Sequence, residues 1–146
     1  MRLWHQSLLP YLDRQRLLGQ HRECAALRGN GWGKKHSVVD YVFTHHFTKL
    51  VAYHWKVMDE MKRRGYNPDE AWLDVSYRGK VLGYDIHWKD ITGAMSEWGV
   101  SIRDNAPIFP EHNDAYLVEC LRLLKEKEAP VDWDAINAAF AEKGEW

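Results

Sequence analysis

Apolar residues along this chain recur at spacings of three and four, the period of an α-helix with one buried face. Leu8, Leu9, Leu12, Leu17, Leu18, Cys24 and Leu27 predict a first helix over residues 7–28, capped by Ser7 and with Pro10 tolerated in its first turn. Val39, Val42, Phe43, Phe47, Leu50, Val51, Tyr53, Val57, Met58 and Met61 predict a long buried helix over residues 38–64, with cations in its last turn and Gly65 as its C-cap. Asn67-Pro68-Asp69-Glu70 reads as the start of a short helix over residues 71–77, with Asn67 at the N-cap. Farther on, Ala115, Leu117, Val118, Leu121 and Leu124 mark an amphipathic helix introduced by residues 111–114, and Asp132 caps a last short one ending near Gly144. Between these, Gly79, Gly83, Gly93, Gly99, Pro107 and Pro110 divide residues 78–110 into turns. Only residues 84–88 alternate like a strand there, and residues 91–98 carry a weak helical pattern. The expected fold is all-α: a small compact bundle of about three main helices plus short ones, with an irregular insertion near residues 78–110, in a single domain spanning residues 1–146.

Composition adds a location and a partner to this outline. A chain of 146 residues with 45% hydrophobic positions can build a core without staples. Its two cysteines, Cys24 and Cys120, sit in apolar helical patterns rather than a Cys-x-x-Cys, which points to reduced thiols and a cytoplasmic protein. No apolar run follows Arg2 and none elsewhere has membrane-spanning length, so neither a secretory signal nor a membrane partner is expected. The formal net charge of −1 conceals an asymmetry. Residues 1–66 carry 12 Lys and Arg against 5 Asp and Glu, whereas residues 67–146 carry 8 against 16. A basic half on a near-neutral chain is the footprint of a polyanion, most simply nucleic acid, unless folding interleaves the two halves.

Two stretches of the basic half carry candidate chemistry. Arg16, Gln20, Glu23 and Leu27 fall nearly on one helical line, so Glu23 stands where the stripe turns from polar to apolar, a place where a carboxylate can be partly desolvated. The plain alternative is an intrahelical ion pair with Arg16 or His21, worth a few tenths of a kcal/mol. Residues 28–36 form a loop with three glycines, two lysines, Arg28 and Trp32. It lacks the four-residue spacing and the hydroxyl of a nucleotide-binding P-loop, since Lys35 follows Lys34. What remains suits a phosphodiester strand, with Trp32 either offered to a base or packed back on the core. His45, His46 and His54 have no metal-ligand spacing, and no metal or other cofactor is expected.

The order of these features resembles the pyrimidine-dimer DNA glycosylase/AP lyases of the endonuclease V type, small all-α repair enzymes. The resemblance rests on Met1-Arg2-Leu3 with the spacing of Leu8, Leu12, Gln15 and Leu17, on Arg22-Glu23, on Gly33-Lys34-Lys35, and on the helix closing Lys62-Arg63-Arg64-Gly65-Tyr66-Asn67. It implies an N-terminal α-amine as nucleophile, Glu23 as the catalytic carboxylate, and damaged double-stranded DNA as the partner of a monomer. It further implies DNA contacts from Arg2, Arg22, Arg28, Lys34, Lys35 and, on the late helix, Arg122. In the family the initiator methionine is removed to expose a small residue; here Arg2 disfavours removal, which assigns the amine to Met1. The family's aromatic and basic C-terminal tail has no counterpart in residues 139–146, which leaves photodimer and abasic site open as lesions. The alternative is a non-catalytic nucleic-acid-binding helical module on the same scaffold.

Overall fold

The computed structural model describes residues 2–88 and 106–146. The helix expected over residues 91–98 and the residue Met1 lie outside the described residues. Four α-helices organise the rest: α1 (Arg14–Arg28), α2 (Phe47–Arg63), α3 (Asp114–Glu126) and α4 (Trp133–Phe140). The fold is all-α, and among the described residues the sole strand-type pairing is a bridge between Tyr77 and Tyr84. Among these residues, too, no helix is long and apolar enough to cross a membrane.

Both long N-terminal helices are shorter than their apolar patterns predict, for the same reason. A 3-10 helix, Gln6–Tyr11, holds Pro10; the chain turns extended at Leu12, and α1 begins only after Asp13. A proline cannot donate a backbone hydrogen bond, and the tight 3-10 turn ends one residue later. A second 3-10 helix, Asp40–Thr44, likewise precedes α2, whose N-cap is His46 accepting from the Thr48 amide through its side chain. The apolar period runs through both breaks because the 3-10 turns bury Leu8, Leu9 and Val42 in the same core. At its far end α2 closes in a Schellman turn, with Tyr66 donating to Met61 and Gly65 to Lys62, both at 2.9 Å. The left-handed Gly65, φ 87°, makes that turn possible. The short helix after it is a 3-10 turn, Glu70–Leu73, capped by Asp69 rather than Asn67. Asn113 and Asp132 cap α3 and α4 by accepting from Tyr116 and Ala135. The strand-like stretch is a single bridge followed by a 3-10 turn, Ile86–Trp88.

One continuous apolar cluster runs from Leu3 to Phe140, and residues 2–5, outside any helix, thread through it. Leu3 is fully buried and Trp4 nearly so. The segment after the undescribed stretch is fastened to this start by Gln6, which donates to the Ala106 carbonyl at 2.9 Å and accepts from the Ile108 amide at 2.8 Å.

The core holds histidines that burial favours in the neutral form. His112, 2% exposed, stacks with His5 and with Tyr116. Its Nδ1 accepts from the Gln6 amide at 3.2 Å, so Nε2 carries the proton and donates to the Tyr41 hydroxyl at 2.8 Å. Burial, and then the nearby His5, push His112 down to about 3. Burial also lowers His5, His21 and His54. The unfolded chain takes up these protons near pH 6.5, whereas folded His112 resists until about pH 3. Stability is therefore complete above about pH 6.5 and is lost as pH falls through that window. Urea midpoints are expected to fall steadily from pH 6.5 toward 3, with a shallower fall in His112→Asn, which keeps an acceptor for Gln6 and cannot titrate.

Candidate active site

The site is assembled where residues 2–4 cross α1. Gln20, on the buried face of α1 between Leu17 and Cys24, is 1% exposed and holds this crossing with every polar atom it has. Its Oε1 accepts from the Trp4 amide at 2.7 Å, and its Nε2 donates to the Arg2 carbonyl at 2.9 Å. From α2, the Tyr53 hydroxyl lies 2.6 Å from the Trp4 carbonyl and 2.9 Å from Gln20 Oε1, sharing its proton between them. From α3, the Tyr116 hydroxyl donates to the Leu3 carbonyl. A segment held by three helices is fixed in register as well as direction.

Glu23 receives the product of that fixing. It lies one turn beyond Gln20, half-buried, and its Oε2 accepts from the Arg2 amide at 3.1 Å and from Gln20 Nε2 at 3.2 Å. Among the described residues Oε1 makes no hydrogen bond, so one carboxylate oxygen is anchored and the other is open. The intrahelical pairing is absent. Arg16 instead caps back to Asp13 at 3.2 Å, and His21 turns to His54 at 2.8 Å. Glu23 has no cationic side chain in contact among the described residues, and its geometry is set by amide donors.

The cations expected around it separate into four groups. Arg22, Lys34 and Lys35 are exposed, and they form no ion pair among the described residues. Arg2 is tethered: its Nη1 lies 3.5 Å from the Tyr116 hydroxyl and 4.0 Å from Glu119. Arg122 is exposed on α3 and donates to the Glu145 carbonyl at 3.1 Å, turned toward the C-terminal segment rather than toward Glu23.

Arg28 corrects the expectation of a DNA contact. It is fully buried, and its guanidinium donates to the Trp72 and Asp74 carbonyls at 2.7 Å and to Tyr77 at 3.2 Å. Nη1 also donates to His54 Nδ1 at 3.0 Å, which leaves His54 Nε2 to donate to His21. Burial pulls Arg28 down to about 10, still a cation at neutral pH. Its work is to bind α1 to residues 72–77, and no phosphate reaches it. Trp32 is likewise turned inward, edge-on to Phe43, Phe47 and Trp88, so of the two readings of this loop tryptophan the packed one holds.

Sequence reasoning missed Gln20 and Tyr53. The signal for Gln20 was available: an amide three residues after Leu17 and four before Cys24 stands on the apolar stripe, where a polar group must be hydrogen-bonded. Tyr53 read as one more residue of an apolar pattern and Tyr116 was not singled out, and their hydroxyls acquire a role only once residues 2–4 thread beside them.

Comparison with curated proteins and with solved structures gives no match. A family model described as pyrimidine dimer DNA glycosylase matches residues 1–74, the half that holds the threaded start, Gln20, Glu23 and the exposed cations. That match takes in half of the chain, and the chain belongs to the pyrimidine dimer DNA glycosylase family.

Proposed function

We propose that this protein removes a damaged base and then cuts the strand, with the α-amine of Met1 as nucleophile and Glu23 as its assisting carboxylate. The observation that carries the reading is the hydrogen bond from the Arg2 amide to Glu23 at 3.1 Å, one peptide unit from Met1. An α-amine has an ordinary pKa near 7.7–8.0, so a useful fraction is neutral at physiological pH without burial. It attacks C1′ of the damaged nucleotide, the bond from C1′ to the base breaks, and the base leaves with a proton. The amine and the opened sugar then share an imine. Loss of the 2′ proton to a base breaks the 3′ C–O bond, and the phosphate departs. Glu23 supplies negative charge beside the developing cation and an open oxygen to take and return protons. Arg22, Lys34 and Lys35 hold the phosphates, Arg2 and Arg122 contribute from α3's side, and the partner is a damaged duplex bound by one copy of the chain.

The reading predicts a chemical trap. Borohydride added to the protein with duplex DNA bearing an abasic site should yield a covalent complex, and peptide mapping should put the sugar on the α-amine of Met1. Strand cleavage without any adduct, or an adduct on a lysine side chain, would overturn the assignment.

A further inference from the structure

Enzymes that act on a base inside a duplex must open the stack, and they commonly insert an apolar side chain to do so. Trp32 is not free for that task, because its ring is packed among Phe43, Phe47 and Trp88. A different element offers itself. Residues 77–84 form a tight hairpin: Tyr77 bridges Tyr84, Arg78 donates to the Gly83 carbonyl at 2.9 Å, and Gly83 donates to Gly79 at 2.7 Å. Gly79 at φ 101° and Gly83 at φ 64° supply the left-handed positions of its turn. The tip presents Lys80, Val81 and Leu82, of which Val81 is 96% and Leu82 44% exposed, with Tyr84 and Ile86 exposed behind them.

An exposed valine on a loose loop would mean little, but this hairpin is clamped to the helix that carries Glu23. Arg78 Nε donates to the Arg28 carbonyl at 2.9 Å and Nη2 to the Gly29 carbonyl at 3.2 Å, while Nη1 pairs with Asp85 at 2.9 Å. The same guanidinium lies 4.3 Å over the Trp88 ring, which meets Trp32 of the lysine loop. Glu23 and Arg28 are five residues apart on α1, about 8 Å along its axis. The apolar tip, Lys80, Lys34 and Lys35 thus belong to one end of α1, and the three lysines form no ion pair among the described residues. An apolar tip at the same end of α1 as three cations that make no ion pair among the described residues is complementary to stacked bases between phosphates, and poorly suited to an apolar protein surface.

We infer that Val81 and Leu82 are the wedge that enters the base stack beside the lesion, with Lys80, Lys34 and Lys35 meeting the flanking phosphates. This rests on the DNA-glycosylase reading above. The test uses the full-length protein and a double variant, Val81→Ser with Leu82→Ser, on two substrates of one sequence: an abasic site in a paired duplex, and the same site within a mismatched bubble already open. The ratio of duplex to bubble cleavage should fall about tenfold or more in the variant. Fluorescence of 2-aminopurine opposite the lesion, which reports unstacking, should rise with the wild-type protein and stay low with the variant. An unchanged ratio overturns the wedge, and if it comes with a lowered melting temperature the tip packs against this chain's own residues instead. Wild-type protein that cleaves neither substrate fails in a different way, by removing the enzymatic reading itself.

Discussion

Replacing Glu23 with Gln is expected to lower strand cleavage at an abasic site by about 10²- to 10⁴-fold, the range that positioned acid–base assistance supplies. The substitution isolates chemistry from architecture. The one oxygen that Glu23 uses structurally is an acceptor from the Arg2 amide and Gln20, and the side-chain carbonyl of Gln can accept both bonds. What the amide cannot do is carry negative charge or take up a proton at the open oxygen. Thermal stability should therefore stay close to that of the parent, and duplex affinity with its salt dependence should persist, because Arg22, Lys34 and Lys35 are untouched. Borohydride trapping under single-turnover conditions separates the steps: a trapped imine that forms but is not cleaved assigns Glu23 to elimination, and a slow trap assigns it to the first attack. Cleavage at the parental rate would mean that the hydrogen bond at 3.1 Å only anchors the threaded start.

The sequence carried the helices wherever a buried face repeats, and it lost the ends of helices wherever a local turn competes. Positions 8–12 and 39–44 keep a helical apolar spacing, yet both fold as 3-10 turns, one holding Pro10 and the other ending at His45 before the His46 cap, and both bury the same residues. Apolar spacing reports which side faces the core and is nearly blind to whether the turn closes at three residues or four. Glu23 was singled out by the family resemblance, since its place on the stripe alone equally allowed an intrahelical ion pair. The clamp around it was not, since Gln20, Tyr53 and Tyr116 come from three helices and converge on residues 2–4 only in the folded chain. The hairpin at 79–83 was unreadable for a related reason. Its two turn glycines were visible, but its importance lies in Arg78 reaching across 50 positions to the end of α1.

Arg28→Met is expected to lower the unfolding free energy by about 3–5 kcal/mol, the usual cost of removing one partner from a buried charged network. The basic half of the chain made Arg28 look like a phosphate ligand, but it stands four residues after Cys24 and eleven after Leu17, on the buried stripe of α1. Methionine fills much of the volume and donates nothing. The Trp72, Asp74 and Tyr77 carbonyls and His54 Nδ1 would all lose this donor, and of these Tyr77 and His54 are buried. Lysine should recover only part of the loss, because a compact ammonium cannot span carbonyls that the flat guanidinium bridges with two nitrogens. His54 gives an independent readout: Arg28 helps hold it, and His21 with it, below the ordinary histidine range after burial itself, so removing the cation should raise both in an NMR titration. A phosphate ligand would behave in the opposite manner, with stability unchanged and the salt dependence of duplex binding reduced by about one ion. Denaturant melts set beside salt titrations of the same variant decide between them. The expected outcome, lost stability at an unaltered salt slope, places Arg28 in the joint that ties the Glu23 helix to residues 72–77 and, through Arg78, to the hairpin beyond.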